Sequence, residues 1–137
     1  MKNLIPYLII NDKCEEALNF YKDCFGGQIT LLQKYSDIDG YQVSADFKAK
    51  VAHAEFRADN IHFYASDGFD GQTETIGSNI ALSVNFDNQN EQRQAFDKLK
   101  IGGTVTLDFS ETSVSSTLVT LIDKYGIHWY LNYEHTK

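Results

Sequence analysis

His53 and Glu55 stand two residues apart in "VAHAEFR", and His62 follows in "NIHFYAS". Residues two apart on a strand share a face, so this imidazole and this carboxylate would lie on one side of a sheet. Such a pair can move a proton. With His62 added from a neighbouring strand, it could instead grip a divalent metal ion. The plainer alternative is a structural His–Glu hydrogen bond in a sheet wall. Tyr7, Tyr64 and Tyr130 offer rings on which a flat ligand could stack, or they are core tyrosines whose hydroxyls reach the rim. His128 stands two before Tyr130 and is either a ligand contact or a solvated rim residue. The serines of "SVSS" have no neighbouring base, so no activated nucleophile is visible.

These side chains need strands to hold them, and the chain describes its strands twice. "FGGQITL" begins at Phe25 and "IGGTVTL" at Ile101. Each follows a charged helical run and precedes a β-rich run. Laid on the glycine pairs, Phe20 meets Phe96, Lys22 meets Lys98, Thr30 meets Thr106 and Leu31 meets Leu107. Repetition within a chain marks a duplicated architecture, and half of a chain this short buries too little surface to stand alone. The pattern predicts an α+β fold: two βαβββ modules whose strands form a curved, mixed β-sheet cup. The first module spans 1–67, a linker 68–78 and the second module 79–137.

Within the first module, 4–10 reads as a strand, and Pro6 marks it as an edge strand. A helix follows, capped by Asn11 or Asp12 and ended by Gly26–Gly27. Residues 28–37 form a strand, and 50–57 with 60–66 form a hairpin around Ala58–Asp59. The second module repeats the order, with a strand at 79–86, a helix ending on Gly102–Gly103 and three further strands.

Alternation sorts the faces. Ala52, Ala54, Phe56, Ile61, Phe63, Ala65, Ile80, Leu82, Val84, Phe86, Ile127, Trp129 and Leu131 fall on an apolar side that should pack beneath the helices. His53, Glu55, His62, Tyr64, Asn79, His128 and Tyr130 fall on the other. A polar sheet face is ordinarily just wet. Here its residues are largely aromatic or amphipathic, which suits a cup for a small organic molecule.

Composition narrows the partners. With 137 residues the chain forms one domain's worth of structure, and a net charge of −7 argues against a nucleic-acid backbone partner. No apolar run approaches a membrane span, and the N-terminus lacks the pattern of a secretory signal, so a cytoplasmic protein is expected. Cys14 and Cys24 lie on one predicted helix, roughly 15 Å apart at about 1.5 Å per residue, too far for a disulfide. An anionic protein favours a cationic or neutral ligand.

Several stretches in this order carry a family likeness: "PYL" at 6–8, "EALNFYKDCFGG" at 16–27, "HAEF" at 53–56, "ASD" at 65–67 and "DKYGIHWYLN" at 123–132. Together they resemble the vicinal oxygen chelate superfamily, which includes glyoxalase I, bleomycin-resistance proteins and extradiol dioxygenases, and within it the PhnB-like branch. The resemblance implies the glyoxalase/bleomycin-resistance fold and a homodimer. Metal-dependent members place His, Glu or Gln at four positions that fall here near Ile5 or Tyr7, Tyr64, Asn79 and Tyr130. Isoleucine is no ligand, and neutral Tyr and Asn are poor ones for a transition metal. The resemblance therefore implies a binder without the usual metal or other cofactor, as in the bleomycin-resistance branch. It would hold its ligand by aromatic stacking, with His53, Glu55 and Asn79 fixing orientation. The alternative is a metal-dependent lyase, isomerase or dioxygenase with a relocated site on His53, Glu55 and His62. Many relatives carry a ubiquinone-pathway methyltransferase label. The glycine pairs here end helices and do not form the Gly-rich strand-to-helix turn of a nucleotide site.

Overall fold

The computed structural model describes residues 1–40, 42–112 and 115–135. Two compact units divide the chain, Met1–Thr75 and Ile76–Lys137. In the first, β1 (Tyr7–Ile9), α1 (Cys14–Phe25), β2 (Gln28–Lys34), β3 (Val51–Ala58) and β4 (Ile61–Ser66) follow in sequence. The second runs β5 (Leu82–Phe86), α2 (Gln89–Leu99), β6 (Thr104–Glu111), β7 (Ser116–Ile122) and β8 (His128–Glu134). Each unit is a mixed four-stranded sheet, ordered β1-β4-β3-β2 in one and β5-β8-β7-β6 in the other. The first strand of each unit pairs in parallel with the last, and the remaining pairs are antiparallel.

The repeated glycines have a shared physical cause. Gly26 and Gly102 adopt left-handed backbone, φ 76° and 75°, which turns the chain out of its helix. Their neighbours then lie hard against the sheet. A Cβ on Gly27 would sit 2.3 Å from the Arg57 carbonyl oxygen, and one on Gly103 would sit 2.3 Å from that of Ile122. One glycine leaves the helix and the next lets β2 or β6 close on the end of the third strand.

Each helix covers the apolar face of its own sheet. In the first unit Ala17, Leu18, Tyr21 and Cys24 of α1 are buried, as are Leu8, Ala54, Phe56, Phe63 and Ala65 of the strands. Tyr21 meets Phe63 edge-on at 5.8 Å between ring centres. In the second, Ala95, Phe96 and Leu99 are buried together with Val119, Leu121, Trp129 and Leu131. Gln92 is fully buried there as well, and its amide donates to the carbonyls of Thr117 and Leu131, tying α2 across β7 and β8.

Some boundaries differ from the sequence reading. Strand β1 starts after Pro6 and lies at its sheet's edge, where a missing N–H is harmless. The N-cap of α1 is Lys13, and neither Asn11 nor Asp12 caps the helix. Its first N–H, that of Cys14, donates to the buried carboxylate of Asp67 at 2.9 Å instead. Strand β2 stops at Lys34 and gives way to a 3-10 turn over Tyr35–Asp37. The strand expected from residue 79 begins at Leu82. Its first pair with β8 is Leu82 with Trp129, and Gly126 turns the chain at φ 87° just before β8 begins at His128. Of the "SVSS" serines, Ser113 lies outside the described residues, and Ser116 opens β7.

Both cysteines are buried free thiols. Burial, with the charges of Asp67 and Glu15 adding to it, pushes the Cys14 thiol far above its ordinary range, so it is no nucleophile.

Candidate functional site

The face of the first sheet opposite α1 gathers five of the eight residues singled out from sequence. The two-residue turn at Asp59–Asn60, with Asp59 at φ 49°, sets the β3–β4 register. Glu55 then stands opposite Tyr64 and Arg57 opposite His62. Parallel pairing places Tyr7 of β1 beside Tyr64. Ring centres of Tyr7 and His53 are 5.6 Å apart, of His53 and Tyr64 5.0 Å, of Tyr7 and Tyr64 6.0 Å, and of His62 and Tyr64 5.4 Å. These spacings make one continuous patch of rings, within the range of favourable aromatic contact.

The hydrogen bonding divides the patch in two. At one side the Tyr7 hydroxyl and His53 Nδ1 are 3.1 Å apart. At the other, His62 Nε2 lies 2.6 Å from Glu55 Oε2, a short charge-assisted contact. Thr30 donates from Oγ1 to Glu55 Oε1 at 3.1 Å, and Arg57 Nη2 donates to Oε2 at 3.3 Å. The His62 hydrogen bond is the main cause that holds the Glu55 carboxyl below the usual carboxylate range. Desolvation opposes it, while Thr30 and the charge of Arg57 reinforce it. The side chains of His62 and Glu55 are 18% and 20% exposed, accessible but not loose. Glu55 therefore pairs with His62 across the hairpin, while His53, its neighbour along β3, turns to Tyr7.

The other three candidates lie in the second unit. Tyr130 and His128 share a face of β8, with Tyr130 beside Ser83 and Thr120, and His128 opposite Ile122. Asn79 precedes β5 and is exposed, and the residue that parallel pairing sets beside Tyr130 is Ser83. Two functional candidates were missed from sequence, Thr30 and Arg57. The match of Thr30 to Thr106 was a signal for the first. Thr106 Oγ1 bonds Thr120 Oγ1 at 2.7 Å, just as Thr30 bonds Glu55 in the first unit.

The positions that the family likeness assigns to metal ligands can be tested unit by unit. Tyr7 and Tyr64 in the first unit, and Asn79 and Tyr130 in the second, offer neutral groups where a transition metal wants imidazole, thiolate or carboxylate. Neither pair suits a metal. The alternative trio does not converge either, because His53 faces Tyr7 while Glu55 faces His62. Among the described residues no group of three or more His, Cys, Asp or Glu side chains is placed to hold an ion.

Two βαβββ units, each with its first and last strands paired in parallel, define a protein of the glyoxalase/bleomycin-resistance fold. Within it the chain belongs to the family described as 3-demethylubiquinone-9 3-methyltransferase, matched over residues 2–132. A solved structure of protein PA1353 from Pseudomonas aeruginosa is 27% identical, with 98% of each chain covered and a TM-score of 0.87. A putative 3-demethylubiquinone-9 3-methyltransferase, PhnB protein, from Bacillus cereus is 25% identical, covering 96% of this chain and 99% of that one, with a TM-score of 0.78. Protein YjdN of Escherichia coli is 22% identical over 94% of this chain and 93% of its own length. No helix among the described residues is long and apolar enough to cross a membrane.

Proposed function

We propose that this protein binds a small, flat organic molecule, cationic or neutral, on the ring patch of its first unit, without a metal at the family's usual positions. The observation that carries this reading is the gathering of Tyr7, His53, Tyr64 and His62, rings from three different strands, into contact on one sheet face. Rings satisfied by one another and by a ligand's π-face give affinity, and the Glu55 carboxylate gives orientation. The net charge of −7 raises the local concentration of cations. On the second unit, His128, Tyr130 and Asn79 are proposed as ligand-contacting residues in their own right. The protein is further proposed to be cytoplasmic, and to be a homodimer as the family likeness implies.

Ligand binding is proposed in preference to the methyl transfer that the family's description names. Both glycine pairs are committed to ending helices and closing strands, and neither cradles a nucleotide-type methyl donor.

The test is a titration followed by aromatic carbon–proton NMR, using N-methylquinolinium as a flat cation and naphthalene-2-sulfonate as a flat anion. The cation should move the signals of Tyr7, His53 and Tyr64 together and saturate at lower concentration than the anion. Shifts confined to other residues, or none with either compound, would remove the reading.

A further inference from the structure

The dipeptide Asp–Gly occurs three times, at 39–40, 67–68 and 70–71. Glycine after aspartate leaves the next backbone nitrogen unshielded by any Cβ and its peptide free to turn. That nitrogen can attack the aspartate side-chain carbon and close a five-membered ring. Closure needs a loose carboxyl group, an unbonded N–H and room for the peptide to rotate. The fold treats the three pairs differently.

At Asp67–Gly68 all of these are denied. Asp67 is 5% exposed, and its carboxylate accepts the Cys14 and Val51 N–H groups at 2.9 and 2.6 Å. The Gly68 N–H donates to Ser66 Oγ at 3.1 Å, and the Gly68 carbonyl accepts the Tyr35 hydroxyl at 2.6 Å. At Asp70–Gly71 one tie is left, from the Ser44 N–H to Asp70 Oδ2 at 2.7 Å. At Asp39–Gly40 there is none. Both residues are exposed, and neither the Asp39 carboxylate nor the Gly40 N–H has a hydrogen-bond partner among the described residues. Nothing lies within 4 Å of where a Cβ on Gly40 would stand.

We propose that Asp39–Gly40 is a site of self-modification, at which Asp39 turns into isoaspartate while the protein stays folded. The Gly40 nitrogen bonds to Asp39 Cγ. One carboxyl oxygen leaves as water, taking the N–H proton and a proton from solvent. Water then adds to the Asp39 main-chain carbonyl carbon and breaks its bond to nitrogen. The main chain now runs through Cβ and Cγ, and the old carbonyl is a free carboxylate that returns its proton to solvent. One water is lost and one gained, so mass and charge are unchanged. The loop around the turn is held at its base. The Tyr35 N–H donates to the Lys50 carbonyl and the Ser36 N–H to that of Lys48, each at 3.0 Å. Both ties lie outside the turn, so a main chain lengthened there leaves β2 and β3 paired.

The test ages the full-length protein at neutral pH, folded and in urea, and compares its tryptic peptides. Cleavage puts Asp39 in the 35–48 peptide and the other two pairs in 58–93. Chromatography separates the isomers, and electron-transfer fragmentation locates the isoaspartate. Each bond to an ionised carboxylate must break before the ring closes, which slows closure about tenfold. In the folded protein Asp39 should therefore convert about 10-fold faster than Asp70 and about 100-fold faster than Asp67. In urea the three should convert at similar rates. Asp39→Glu, which would have to close a six-membered ring, should clear the isomer from 35–48 and leave the Asp70 rate unchanged. Aged protein should keep the urea midpoint of fresh protein. Equal rates in the folded protein, or Asp67 or Asp70 leading, overturn the proposal. So does conversion of Asp39 only in urea, or an isomer that persists in 35–48 of Asp39→Glu. A lowered midpoint overturns the claim that the loop absorbs the change.

Discussion

Replacing Gly27 with alanine should destabilise the protein by about 3–5 kcal/mol, while the same change at Gly26, one residue earlier, should cost only about 1–2 kcal/mol. The two glycines look identical in sequence and both have left-handed backbone, φ 76° and 88°. Around Gly26 nothing lies within 4 Å of an added Cβ, so alanine there meets only the conformational penalty. At Gly27 the methyl would stand 2.3 Å from the Arg57 carbonyl oxygen and 2.5 Å from Ala58 Cβ. Both obstacles belong to the end of β3 and cannot swing aside. The chain must open β2 from β3, at the point where Gln28 pairs with Arg57. Gly103→Ala should fall between the two. Its backbone is not left-handed, but its methyl would meet the Ile122 oxygen at 2.3 Å. Urea unfolding midpoints for the three variants should rank Gly27 lowest, then Gly103, then Gly26. Equal losses at Gly26 and Gly27 would show that helix termination, not strand closure, explains the doublet. Against a typical total stability of 5–15 kcal/mol, the Gly27 variant should be marginal at best.

The doublets were legible because a glycine pair after a helix is a local signal, and its recurrence made it a strong one. The sheet faces were legible for a similar reason: Phe63, Ala65, Trp129 and Leu131 keep strict alternation and are buried as it requires. Pairings within the polar face were not. Sequence proximity joined His53 to Glu55, but residues two apart on a strand are nearly 7 Å from one another, no closer than diagonal neighbours on adjacent strands. Side-chain reach decides instead: Glu55 stands opposite Tyr64, yet its carboxylate crosses diagonally to His62, and His53 reaches past β4 to Tyr7 on β1. Asn79 was placed on a strand that begins only at Leu82, where pairing with β8 starts. Where β8 begins cannot be read from residues 79–86. Arg57 carries no signal in the sequence, and its contact with Glu55, two residues back along β3, shows only in the folded strand.

Asp67→Ala should cost about 3–5 kcal/mol, and it should weaken the candidate site as well as the fold. Asp67 follows β4 directly and is almost wholly buried. One carboxylate oxygen accepts the Cys14 N–H at 2.9 Å, the other the Val51 N–H at 2.6 Å. Asp67's own N–H donates to the Val51 carbonyl at 2.9 Å, and Asn11 Nδ2 donates to the Asp67 carbonyl at 2.9 Å. One side chain thus closes the first turn of α1, for which the neighbouring sequence supplies no cap, and anchors the first residue of β3. Bonds to an ionised acceptor are each worth roughly 1.5–3 kcal/mol, and alanine would leave both N–H groups buried and unpaired. Asn at this position should recover only part of the loss, because its single oxygen serves one donor while its NH2 confronts the other. Hydrogen exchange supplies the discriminating readout. The Cys14 and Val51 amides should exchange faster together in Asp67→Ala, and ring shifts of His53, two residues into β3, should follow. Fast exchange at Cys14 alone would reduce Asp67 to a helix cap and cut its link to the strand that holds His53 and Glu55.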